Sequence, residues 1–98
     1  MTLSSNELLG IVEKYPPITR YTIGENEQHI MFHLKNDKEI SVSINQNDKG
    51  FGARGQFRNK NQRGFGDATS IITGDTELGV VKDILNNLLG YNLKRENK

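Results

Sequence analysis

An α+β domain is the fold this sequence predicts, with an N-terminal helix, an antiparallel meander of three to five strands and a C-terminal helix. Both helices are expected on one sheet face. Three observations carry the prediction. Apolar stripes at helical period lie at the two ends, each beside capping signals. Period-2 alternation fills the span between them. Two neighbouring hairpins can also be put in register so that their apolar faces coincide.

The first helix is announced by Ser4-Ser5-Asn6-Glu7, a capping box in which Ser4 and Glu7 exchange side chain-to-backbone hydrogen bonds. Leu8, Val12 and Tyr15 form its apolar stripe, flanked by Leu9 and Ile11, and Pro16-Pro17 ends it. Strands are expected at 19–23, 29–34 and 39–45. Ile30, Phe32 and Leu34 point to one side of the second strand and His29, Met31 and His33 to the other. Ile40, Val42 and Ile44 alternate with Ser41, Ser43 and Asn45 in the third. Pairing Leu34 with Ile40, Phe32 with Val42 and Ile30 with Ile44 joins the apolar faces and leaves Asn36-Asp37-Lys38 as the loop. Lys35 then faces Glu39. In the first hairpin, Tyr21 meets Phe32 and Ile23 meets Ile30, closed by Asn26-Glu27. Thr69-Ser70-Ile71-Ile72 reads as a last short strand or as the approach to the second helix. That helix carries Leu78, Val81, Leu85 and Leu88, widened by Ile84 and Leu89, with Gly74-Asp75 before it and Gly90 after it.

Ninety-eight residues suit one domain, expected over 1–91, with a charged tail at 92–98. The hydrophobic fraction is 34% and mean hydropathy −0.65, which predicts a thin core of one sheet face under two helices. A net charge of +1 argues against a dedicated duplex-DNA binder and against an acidic DNA mimic. The absence of cysteine excludes disulfides, thiol nucleophiles and cysteine-based zinc sites. No apolar run approaches the roughly 18 residues of a membrane helix. Met1-Thr2-Leu3-Ser4-Ser5 lacks the basic and apolar regions of a signal peptide, so a cytoplasmic location is expected.

The unusual feature is a Gly/Arg/Phe-rich segment at 49–67, in which Gly-Phe-Gly occurs at 50–52 and again at 64–66. Neither helical nor clean strand periodicity is evident, and two shapes fit: a ragged hairpin turning at 59–62, or a mobile loop. Arg54, Arg58, Lys60 and Arg63 interleave with Phe51, Phe57 and Phe65. Arginines grip phosphate or carboxylate, and phenylalanines offer stacking or anchoring faces. The plainer explanation is a soluble loop whose phenylalanines tuck onto the sheet. No P-loop triplet is present, and the glycines do not join a strand to a helix as a dinucleotide fingerprint requires.

His29 and His33 share one strand face. At about 3.3 Å per residue they stand roughly 13 Å apart, too far for one ion with ligand bonds of about 2 Å. Neither a metal nor any other cofactor is therefore expected. The register above sets His33 opposite Ser41, but no nucleophile elbow and no carboxylate completes a hydrolase site, and a solvated polar face accounts for the same residues. The scattered carboxylates form no catalytic pair.

The expectation from these residues is a small non-enzymatic binding protein, an adaptor or inhibitor of the kind carried by phages and mobile elements. Its partner would be a macromolecule, for instance a nucleic-acid-dependent defence enzyme, met by Phe51, Arg54, Phe57, Arg58, Lys60, Arg63 and Phe65. The alternative is single-stranded nucleic acid or a nucleotide on the same segment. Monomer and homodimer both fit, since a short meander leaves strand edges and exposes the face bearing Met31.

Overall fold

The computed structural model describes residues 3–24, 28–59 and 68–92. Helix α1 (Ser5–Lys14) leads into strands β1 (Ile18–Ile23), β2 (His29–Leu34), β3 (Lys38–Asn47), β4 (Gly50–Asn59) and β5 (Ile72–Gly74), and helix α2 (Glu77–Leu89) follows. The sheet runs β1-β2-β3-β4-β5 with every neighbouring pair antiparallel, so the expected meander reaches five strands.

Local chemistry sets the helix limits. The Glu7 amide donates to Ser4 Oγ at 3.1 Å while the Ser4 amide donates to Glu7 Oε1 at 3.1 Å, which completes the capping box. The side chains that α1 and its C-cap bury are Leu8, Ile11 and Tyr15, whereas Val12 is only partly covered and Leu9 is 51% exposed. The buried stripe thus centres on Ile11, one position away from the predicted one. At α2 the cap is Thr76, whose Oγ1 accepts from the Gly79 amide at 3.0 Å, one residue beyond the predicted Gly74-Asp75. Gly90 ends α2 in the left-handed region at φ 74. Tyr91 then turns back so that its ring centroid lies 5.5 Å from that of Tyr15.

One apolar cluster joins both helices to the same sheet face. Ile30, Phe32, Ile40, Val42, Ile44 and Ala53 share it with Leu8 and Ile11 of α1, its C-cap Tyr15, and Val80, Val81, Ile84 and Leu85 of α2. The Tyr15 hydroxyl reaches across to α2, lying 2.8 Å from Asn86 Oδ1 and 3.2 Å from the Lys82 carbonyl.

The β1–β2 register agrees with expectation, with Tyr21 opposite Phe32 and Ile23 opposite Ile30. Its predicted Asn26-Glu27 closure lies outside the described residues. An irregularity between Ile18 and Arg20 lets Ile18 and Tyr21, three residues apart, both face the helices. The β2–β3 register differs from the expected one by two residues: Phe32 pairs with Ile40, Ile30 with Val42 and His33 with Glu39. The apolar faces still coincide because the shift is even. The loop becomes Lys35-Asn36-Asp37, and Asp37 adopts φ 57. Aspartate tolerates the left-handed conformation that closes a three-residue hairpin better than the lysine demanded there by the predicted register. Lys35 is accordingly not opposite Glu39.

Of the two shapes that fit the glycine-rich segment, β4 agrees with the hairpin and not with the mobile loop, and it is more regular than expected. Residues 50–59 of the glycine-rich segment form a regular strand paired with β3 along its whole length, from Asn47 with Gly50 to Lys38 with Asn59. Asp48-Lys49 makes the turn, where the Asn47 side chain accepts from the Lys49 amide at 2.8 Å. Gly50 leaves that turn at φ 133, and a Cβ there would lie 2.5 Å from the Gly74 carbonyl oxygen, so the position admits only glycine. Ala68 pairs antiparallel with Gln56, and the Thr69 amide donates to the Gly55 carbonyl at 2.9 Å. The predicted turn at 59–62 lies largely outside the described residues, as does the charged tail from 93 onward.

Candidate functional site

Strand alternation sorts the conspicuous residues of β4. Phe51, Ala53, Gly55 and Phe57 stand opposite Gln46, Ile44, Val42 and Ile40, and both phenylalanines pack against the core cluster. Gly52, Arg54, Gln56 and Arg58 stand opposite Asn45, Ser43, Ser41 and Glu39 and point to the face that carries no helix. The arginines and phenylalanines that interleave in sequence are therefore separated by the thickness of the sheet. Arg54 and Arg58 share a surface, whereas Phe51 and Phe57 belong to the other side. Lys60, Arg63 and Phe65 lie outside the described residues.

The open face continues across the sheet as Arg20 and Thr22 of β1, His29, Met31 and His33 of β2, then Glu39, Ser41, Ser43 and Asn45 of β3. Among described residues of the strands, this face sets three guanidinium groups against the single carboxylate of Glu39, and it is otherwise built of hydroxyls, amides, imidazoles and the Met31 thioether. Sequence reasoning recognised the β2 and β3 parts of this face. It did not find β4's part, because glycine at 50, 52 and 55 masks the alternation of Arg54, Gln56 and Arg58.

The two histidines engage opposite neighbouring strands. His29 Nε2 shares a hydrogen bond with Ser43 Oγ of β3 at 2.8 Å. His33 Nε2 shares one with Thr22 Oγ1 of β1 at 3.1 Å. The ring of His33 is nearly buried, and Glu39 Oε1 lies 3.9 Å from its Nδ1. The expected facing of His33 and Ser41 does not occur, since Ser41 pairs with Met31. The structure instead places a carboxylate beside His33, which the two-residue register error had hidden.

Chemically, the Ser43–His29 contact joins a hydroxyl to a base. It sits within a flat ladder, however, and β3 lies between two partner strands, so its amides are committed to pairing on both sides. They cannot converge on a developing oxyanion as acyl transfer demands. Among the described residues no group of three or more His, Asp or Glu side chains is arranged to hold a metal ion. No described helix is long and apolar enough to cross a membrane. What the face offers is dense hydrogen bonding and fixed positive charge on a rigid sheet. No protein-family model matches this chain, and neither a curated protein nor a solved structure matches it.

Proposed function

We propose that this chain is a non-catalytic binding protein, an adaptor or inhibitor that docks an acidic protein surface on its open sheet face. One observation carries the reading: Arg20, Arg54 and Arg58 share that face with Glu39 as the only strand carboxylate among the described residues. Arginine is favoured at interface centres, and its planar fork matches carboxylates bidentately. Serine, asparagine and glutamine around the guanidiniums supply the polar complement of a non-obligate interface. Binding of single-stranded nucleic acid is the weaker reading, because Tyr21, Phe51 and Phe57 are on the helix side and leave bases no aromatic ring of theirs to stack on.

Fluorescence anisotropy tests this with labelled poly-glutamate and labelled single-stranded DNA, at low and moderate salt, on wild type and Arg54→Ala/Arg58→Ala. The expected result is saturable binding of the polyanionic peptide that weakens with salt and is lost in the double variant. Equal binding by the variant, or binding of DNA alone, refutes the reading.

A further inference from the structure

The open face is uneven. Toward β5 it sinks into a concavity of about 500 Å³ bordered by Ser41, Ser43, Asn45, Arg54, Gln56 and Thr73. Gly52 lies between Asn45 on β3 and Thr73 on β5, and Ile71, 72% exposed, stands beside it. Among the described residues, a Cβ on Gly52 would meet only Ile71 Cγ2 within 4 Å, at 3.6 Å. Glycine here relieves no clash: it is itself buried in the concavity's lining, where a Cβ would make ordinary contact with Ile71 and take up room a ligand could use. The volume falls within the roughly 300–1,000 Å³ of small-molecule sites.

The lining also selects by charge. Among the described residues that line it, Arg54 is the one charged side chain. A second concavity of about 480 Å³, at the β3–β4 turn, instead includes Asp48 and Asp75 beside one lysine, Lys49, in its lining, a charge balance less suited to a dianion. Around Arg54 the donors are many: its own planar fork, the hydroxyls of Ser41, Ser43 and Thr73, and the amide groups of Asn45 and Gln56. Ser43 faces Arg54 directly across the ladder, and its hydroxyl is held by His29. A phosphoryl group, with three acceptor oxygens, uses such a donor set more fully than a carboxylate does.

We propose that this concavity binds a small phosphate monoester, its phosphoryl group on Arg54 and its nucleoside or sugar body over Gly52 against Ile71. The inference rests on the open face being the binding face, and it adds a discrete ligand to that face.

The test is a titration of the full-length chain, followed by amide chemical shifts, with adenosine 5′-monophosphate, ribose 5-phosphate and unphosphorylated adenosine. Saturable shifts at 41–45, 52–56 and 71–73 are expected with one or both esters and not with adenosine. Arg54→Ala should weaken ester binding at least about tenfold. Gly52→Ala and Gly52→Val should weaken it progressively by filling the space, while their dispersed spectra verify folding. Lys35→Ala, in the β2–β3 loop and away from the concavity, should leave it unchanged. Absence of saturable shifts with both esters, adenosine matching the monophosphate, or undiminished binding by Arg54→Ala overturns the proposal. Poly-glutamate binding without ester binding sinks the concavity alone. Ester binding without poly-glutamate binding supports the concavity and refutes the acidic-surface reading.

Discussion

Gly55→Ala puts the packing of α2 on β4 to the test. Gly55 lies on the helix side of β4, and a Cβ there would overlap the Cγ2 methyl of Ile84 and come within 3.1 Å of Leu88 Cδ1. Ile84 is fully buried, so its side chain has no solvent to retreat into, and α2 must lift from the sheet. Overpacking of this kind costs about 1–3 kcal/mol. Against it, alanine restricts the unfolded chain and returns about 0.5–1 kcal/mol. Because the clashing partner is wholly enclosed, the net should fall at about 1–2.5 kcal/mol. For a domain of this size, that lowers the melting temperature by roughly 4–20 °C. Thermal and urea unfolding followed by circular dichroism would measure it. Gly10→Ala is the control: a Cβ there meets nothing within 4 Å among the described residues, and removing a glycine from the α1 interior should stabilise by about 0.5–1 kcal/mol. Ile84→Ala should cost about 2–5 kcal/mol alone, and adding Gly55→Ala to it should cost at least about 1 kcal/mol less than in wild type. A Gly55→Ala protein as stable as wild type, beside a stabilised Gly10→Ala, would refute the close approach of α2 to β4.

Two further outcomes are expected. Ser4→Ala removes the acceptor for the Glu7 amide and should cost about 0.5–2 kcal/mol, read as a lower urea midpoint with an unchanged slope; no change would mean that the box contributes nothing. Burial, and secondly the Asp83 carboxylate, raises the Tyr15 phenol from 10.0 to about 12, so the folded state favours its neutral form. That contribution is complete below pH 10 and is lost as pH climbs through about 12, at most about 3 kcal/mol in all. Lys82, whose carbonyl Tyr15 contacts, has the opposite sign: burial, then Lys14, lowers its ammonium, so its burden on the fold is lifted as pH rises towards 10.5. Urea midpoints between pH 9 and 12 should therefore fall in wild type and not in Tyr15→Phe, and an equal fall in both would sink the assignment.

Much of the fold was legible because its signals are local. The capping box at Ser4, the proline stop after Tyr15 and the alternation of 29–34 and 39–45 each depend on neighbours within a few residues. Parity did the rest: any even register of β2 on β3 buries Ile30, Phe32, Ile40 and Val42, so a two-residue error left the core prediction intact. It misplaced the polar face instead, giving His33 a serine for a neighbour where the structure supplies Glu39.

The sequence by itself determined the order of elements, the helix starts to within a residue and the side of the sheet on which β2 and β3 bury their apolar residues. Tertiary structure decided that 50–59 is a strand, that Arg54 and Arg58 part company with Phe51 and Phe57, and that the concavity opens at Gly52. Glycine carries no side chain to mark its face. Whether it sits under Ile84, beneath the Gly74 carbonyl or beside Ile71 in the concavity is set by atoms that approach it from α2 and from 71–74, remote in the chain.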